Sequence, residues 1–124
     1  MRVFKNKWFA RFARKERIAD VDLCDAVSRA ERGLIDAELG GSLIKQRVAR
    51  PGAGKSGGYR TIIVYKTGAR VFFIYGFAKN ERENITGEEV RAFKEAAASY
   101  LSLGNDTMAG LVDDQRLIEV ICNA

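Results

Sequence analysis

The hydrophobic positions of this 124-residue chain change period several times, and each change marks an element. "MRVFKN" at residues 1–6 reads as a short first strand. Over "KWFARFARKER", Trp8, Phe9, Phe12 and Ala13 fall on one helical face, with Arg11, Arg14, Lys15 and Arg17 elsewhere. A second helix follows in "ADVDLCDAVSRAERGL", with Asp20 or Asp22 as its cap. Leu23, Val27, Ala30 and Leu34 recur there at helical spacing, and Gly33 helps to close it. The pattern predicts an antiparallel helical hairpin over 6–16 and 21–33. The period then shortens. Leu43 to Ala49 reads as a strand, residues 50–57 as a basic, glycine-rich loop, and "YRTIIVYK" as a strand of β-branched and aromatic residues. Thr67-Gly68 is a compact turn into "ARVFFIYGFA", the most apolar strand and therefore the central one.

The long helix "ITGEEVRAFKEAAASYLSL" comes next, with Thr86 and Glu89 as a capping box and Val90, Phe93, Ala97, Tyr100 and Leu101 as its buried face. "NDTMAGLVDDQ" predicts a short helix capped by Asn105 or Asp106, and "LIEVICNA" is either a last strand or a packed tail. The order β-α-α-β-β-β-α gives a single α+β domain over residues 1–124, with helices covering one face of a small antiparallel sheet. Residues 103–124 stand outside that core pattern as an extension.

Charge sharpens this picture more than composition does. The chain carries +5 overall, yet residues 45–80 hold eight basic residues and no acid, a local +8. These are Lys45, Arg47, Arg50, Lys55, Arg60, Lys66, Arg70 and Lys79. A solvated strand face normally mixes both signs, so an acid-free run points to a polyanion. No apolar run approaches the ~18 residues of a membrane span. The N-terminus lacks a signal peptide's apolar stretch, so the expectation is a cytoplasmic protein with no membrane contact. In that compartment Cys24 and Cys122 are expected as free thiols. The chain contains no histidine. A zinc site is not expected, and acid–base chemistry falls to Lys, Arg, Tyr, Asp or Glu.

"ARPGAGKSGGYR" at 49–60 matches a relaxed nucleotide-binding loop through Ala49, Gly54, Lys55 and Ser56. That loop needs a helix immediately after Gly-Lys-Ser, whose N-terminal amides meet the phosphates. Here Gly57-Gly58 and a β-branched run follow, which favour a strand. The match is rejected.

Lys45-x-Arg47, then "GGYR" at 57–60 opening a strand, then "FAKNERENI" at 77–85 closing the next, resembles the RelE/ParE superfamily of bacterial toxins, within it the HigB-like RelE branch. The resemblance covers roughly residues 1–102, and "GFAKNERENI" is its most specific stretch. It implies a RelE-like fold and an endoribonuclease that cuts mRNA in the ribosomal decoding site by 2′-OH transesterification. It also implies no metal or cofactor, and a cognate antitoxin of helix-turn-helix type as partner beside ribosome and mRNA.

On that resemblance the catalytic candidates are Lys45, Arg47, Arg60 and Lys79, and the RNA-binding candidates are Arg50, Lys55, Tyr59 and Arg82. Lys45 and Arg47 are two apart on a strand, so they share a face. Arg60 is the phosphate clamp, because a guanidinium bonds two phosphate oxygens at once. Lys45 or Lys79 is the candidate base, since cationic neighbours favour a neutral amine. Where many RelE toxins carry a tyrosine, this chain has Thr86, and the family's arginine at the close of the third strand is matched by Lys79 or Asn80. Arg82 has a plainer reading as a partner of Glu81 or Glu83, and Arg70 as a solvated strand arginine. Two other functions fit the same pattern: a ParE-like poison of DNA gyrase, and an RNA-binding domain without catalysis.

Overall fold

The computed structural model describes residues 1–50 and 54–122, and the side chains of all of these except 54–56. In chain order the elements are β1 (Val3–Asn6), α1 (Lys7–Glu16), α2 (Asp20–Glu31), β2 (Ala37–Gly40), β3 (Leu43–Arg50), β4 (Gly54–Val64), β5 (Val71–Ala78), α3 (Gly87–Leu101), α4 (Asn105–Asp113) and β6 (Leu117–Val120). The strands form one sheet in the order β2-β3-β4-β5-β1-β6. Every neighbouring pair is antiparallel except β1 and β5. The α+β class holds, on a mostly antiparallel sheet.

The helices cover both faces of that sheet, not one. Phe9 and Ala13 of α1 and Leu23, Ala26 and Val27 of α2 pack with Ile44, Val48, Ile63 and Phe73 on one side. Ala97 of α3 and Met108 of α4 pack with Leu43, Ile62, Val64 and Phe72 on the other. The cause is β5, which is apolar at almost every position. Phe73 meets Phe9 at 5.2 Å between ring centroids, while its neighbour Phe72 meets Tyr100 at 4.8 Å. A central strand that is apolar on both faces needs cover on both.

β4 starts at Gly54, so the connection expected over 50–57 is confined to the residues between Arg50 and Gly54. Residues 51–53 and the side chain of Lys55 lie outside the described residues. β2 was not expected; the tip joining it to β3 turns through Gly40, Gly41 and Ser42, all with positive φ. The chain end resolves as a strand, β6, paired antiparallel with β1. Thus β6 completes the sheet at its β1 edge, and α4 packs on its α3 side. The N-cap of α4 is Gly104, not Asn105 or Asp106. Asn105 instead accepts from Nη2 of Arg70 at 2.6 Å, and Nη1 of Arg70 donates to the Leu103 carbonyl, so Arg70 ties β5 to α4.

The cysteines are a second correction. Cys24 and Cys122 are joined in a disulfide, with Cα atoms 5.4 Å apart. Pairing of β6 with β1 carries the chain end back against α2, a closure across 98 residues that spacing does not reveal. Among the described residues, no helix is long and apolar enough to cross a membrane.

Candidate nucleic-acid interface

β3 and β4 pair so that Arg47 lies opposite Arg60 and Lys45 opposite Ile62. Leu43 and Ile62 belong to the core under α3, whereas Ile44 and Val48 face the hairpin. Strand alternation therefore sets Lys45, Arg47 and Arg60 on the α3 side of the sheet. These three catalytic candidates share one face.

Arg60 is the unusual member. It is only 9% exposed. Its one hydrogen bond among the described residues runs from Nη1 to the Tyr59 carbonyl at 3.4 Å, and it has no carboxylate partner there. Burial lowers the pKa of its guanidinium, Arg47 lowers it further, and Asp36 opposes both. Arginine stays charged at neutral pH regardless. A nearly buried cation beside a second cation is costly unless an anion arrives to pair with it.

Arg47 is held by its backbone as well as its side chain. Its N–H donates to Oδ2 of Asp36 at 2.6 Å, its Nε lies 3.4 Å from Oδ1, and its carbonyl accepts from Nη2 of Arg29 at 2.5 Å. Asp36 is fixed in turn by Gln46, fully buried, whose Oε1 accepts from the Asp36 N–H and whose Nε2 donates to the Ala26 carbonyl. A buried amide with its polar atoms satisfied thus anchors the acid that aims Arg47. Neither Gln46 nor Asp36 stood out in the sequence. Only the register of β2 with β3 brings them together.

Arg82 is fully engaged. Its Nε donates to the Asn84 carbonyl at 2.8 Å, Nη1 to the Tyr75 hydroxyl at 2.9 Å, and Nη2 to Oε1 of Glu89. The guanidinium also lies over the rings of Tyr75 and Phe77. Its acidic partner is Glu89, neither of its neighbours Glu81 and Glu83. The Asn84 side chain then accepts from Lys45 Nζ at 3.1 Å.

A β-bulge explains why Tyr75 belongs to this group. The β4–β5 register shifts after Ile62, so Ile62 pairs with Tyr75 and Ile63 with Phe73, leaving Ile74 extra. Ile74, Tyr75 and Phe77 all reach the α3 side as a result. Simple alternation from Phe72 would turn Tyr75 toward the hairpin. Past the end of β1, Trp8 covers the β5 edge and stacks on Tyr75 at 4.5 Å.

Lys79 joins the three on the α3 side, whereas Tyr59 and Arg50 do not. Lys79 is exposed one residue beyond β5, but its N–H still donates to the Gly58 carbonyl at 3.1 Å. The ladder thus runs on to it, and alternation from Phe77 gives it the α3 side. Tyr59 lies on the opposite face, 2% exposed, with its hydroxyl donating to Oε1 of Glu16 at 3.1 Å. Arg50 sits over the Tyr59 ring at 5.7 Å and goes with it. Thr86 caps α3: its hydroxyl accepts from the Glu89 N–H at 3.1 Å. Tyr65 joins the hairpin core and Tyr100 packs on Phe72, so neither faces the cluster.

Glu89 gives a testable pH dependence. Hydrogen bonds from Arg82 and from the Thr86 backbone hold its carboxyl down at about 2. A carboxylate whose folded pKa is depressed contributes stability in full above the unfolded value, near 4.3, and loses it as pH falls toward 2. Urea unfolding of wild type and Glu89→Gln should therefore differ most at neutral pH and converge between about pH 4 and pH 2. A gap that persists at pH 2 would contradict the assignment.

A groove of about 680 Å³ elsewhere on the molecule is lined by Glu31, Glu38, Tyr65 and Lys66 among others, and it contains none of Lys45, Arg47, Arg60 or Lys79. Arg47 instead lines a smaller concavity of about 310 Å³ with Arg29, Ile35 and Asp36.

No curated protein matches the chain. The family described as the RelE toxin of the RelE / RelB toxin-antitoxin system matches residues 1–120, a span that includes β6. The chain belongs to the RelE toxin family.

Proposed function

We propose that this protein is a ribosome-dependent mRNA endoribonuclease of the HigB-like RelE branch, neutralised by a cognate antitoxin of helix-turn-helix type and acting in the cytoplasm without metal. The observation that carries the reading is Arg60, a nearly buried guanidinium with no acidic partner among the described residues, facing Arg47 across the β3–β4 ladder. Such a pair suits the scissile phosphate of an RNA strand, where planar bidentate donors meet two oxygens.

In the reaction, Lys45 takes the proton of the ribose 2′-OH, and the 2′ oxygen forms a bond to phosphorus. Arg60 and Arg47 stabilise the charge that grows on the non-bridging oxygens. The bond from phosphorus to the 5′ oxygen breaks, and that oxygen leaves with a proton from the Lys79 ammonium. The products are a 2′,3′-cyclic phosphate and a 5′-OH, with the proton count balanced between the two lysines. Arg82 serves this site from behind, as a brace for Tyr75 and Asn84. Tyr59 and Arg50 support the opposite face.

Binding of a short single-stranded RNA tests the phosphate contacts. About three contacts predict a slope near −2 for log K against log salt, from roughly 0.7 per phosphate. Arg47→Ala and Arg60→Ala should each flatten it by about 0.7, measured by fluorescence anisotropy. A wild-type affinity insensitive to salt would remove the proposal.

A further inference from the structure

We infer that Asn84 is the positioning residue for Lys45, and that the turn between β5 and α3 is built to hold it there; this rests on the nuclease reading above. The amide oxygen of Asn84 accepts from Lys45 Nζ at 3.1 Å and from the Ile85 N–H at 2.9 Å. Its carbonyl oxygen accepts from Nε of Arg82 at 2.8 Å. Arg82 is locked in its turn by Tyr75 and by Glu89, which also caps α3. A chain of hydrogen bonds therefore runs from the first turn of α3 through Arg82 and Asn84 to the lysine on β3.

The chemistry of an amide suits this role. A lysine side chain has four rotatable bonds and wanders unless something holds its end. An amide oxygen accepts an N–H from the ammonium and from the neutral amine alike. Asn84 thus keeps Lys45 in place through both halves of a proton transfer. In the neutral amine, the N–H bonded to Asn84 leaves the nitrogen lone pair directed elsewhere, free for the 2′-OH. A carboxylate at the same position would favour the ammonium and leave less neutral amine to take the 2′ proton. The charged groups around the lysine include Arg47 on its own strand with its partner Asp36 beside β2, Arg60 on β4, and the Arg82–Glu89 pair beyond Asn84. Aspartate at position 84 is thereby the informative variant, because it keeps an acceptor for Lys45 and for the Ile85 N–H while changing only the charge.

The test is cleavage of ribosome-bound mRNA under single turnover, as a function of pH, for wild type, Asn84→Ala and Asn84→Asp. Asn84→Ala should lower the maximal rate at least tenfold while the apparent affinity for the ribosome complex stays within twofold. Asn84→Asp should recover most of that rate at high pH, with the acid limb of its profile displaced upward. Equal rates for Asn84→Ala and wild type, or an Asn84→Asp profile that does not move, would overturn the inference. If wild type itself leaves mRNA intact, the nuclease reading falls first. The contact is then read directly from NMR of 13C-methylated lysines: the Lys45 resonance should shift in Asn84→Ala, and an unchanged resonance overturns the inference independently of activity.

Discussion

Arg60→Ala should reduce mRNA cleavage by about 100-fold to 1,000-fold, the usual loss when a preorganised donor to a developing oxyanion is removed. The fold should survive the change. Arg60 makes one long hydrogen bond to a neighbouring carbonyl and no ion pair among the described residues, so little structure depends on its charge. Its removal even relieves the repulsion between it and Arg47. Thermal unfolding of the variant should match or exceed that of wild type while growth inhibition disappears. Arg60→Lys should restore little activity, because an ammonium is a point charge and loses the planar fork. A variant that stays toxic, or one that loses activity only by unfolding, would place the phosphate elsewhere.

Gly58→Ala should be the most damaging single methyl group in the described structure. A Cβ at Gly58 would lie 2.3 Å from the Val48 carbonyl oxygen, 3.2 Å from the Arg50 nitrogen and 3.3 Å from the Ala49 Cα. All three are backbone atoms of β3, at the point where the β3–β4 register already shifts. They cannot yield as a side chain would; the two strands must part. That places the expected loss above about 4 kcal/mol, among the exceptional values for a point substitution. The site suffers with the fold, because Arg47 and Arg60 face each other just beyond this crossing. Gly87→Ala is the matched control, with nothing within 4 Å of the added methyl at the start of α3. Denaturant unfolding of both variants should separate them by several kcal/mol, and near-equal midpoints would refute the close-approach argument.

What was legible in the sequence is what local chemistry decides. The capping box of Thr86 and Glu89, the helical stripe of α1 and the β-branched run of β4 each follow from residue types at short spacing. The rejection of the nucleotide-binding loop rested on Gly57, Gly58 and the strand after them, and residues 54–64 do form a strand. What was not legible depends on register and closure. The bulge at Ile74 sends Tyr75 to the α3 side, and no single-residue preference marks it. Alternation from Arg60 already puts Tyr59 on the far face, so the strand's own geometry separates it from the candidates on the α3 side. Arg82 was weighed against Glu81 and Glu83 because they adjoin it, whereas the helix start brings Glu89 into reach. The disulfide needed β6 to pair with β1 before its two ends could meet. Asn84 and Asp36 are ordinary turn residues in sequence, distinguished only by the cations they hold.

The most direct measurement is to map mRNA ends on translating ribosomes by primer extension, with wild type and Arg60→Ala side by side. The account predicts discrete cuts from wild type, 2′,3′-cyclic phosphate and 5′-OH ends at each, and near-complete loss of the cuts in the variant. Intact mRNA with wild type bound to ribosomes, or intact mRNA with gyrase-linked DNA breaks, would contradict it.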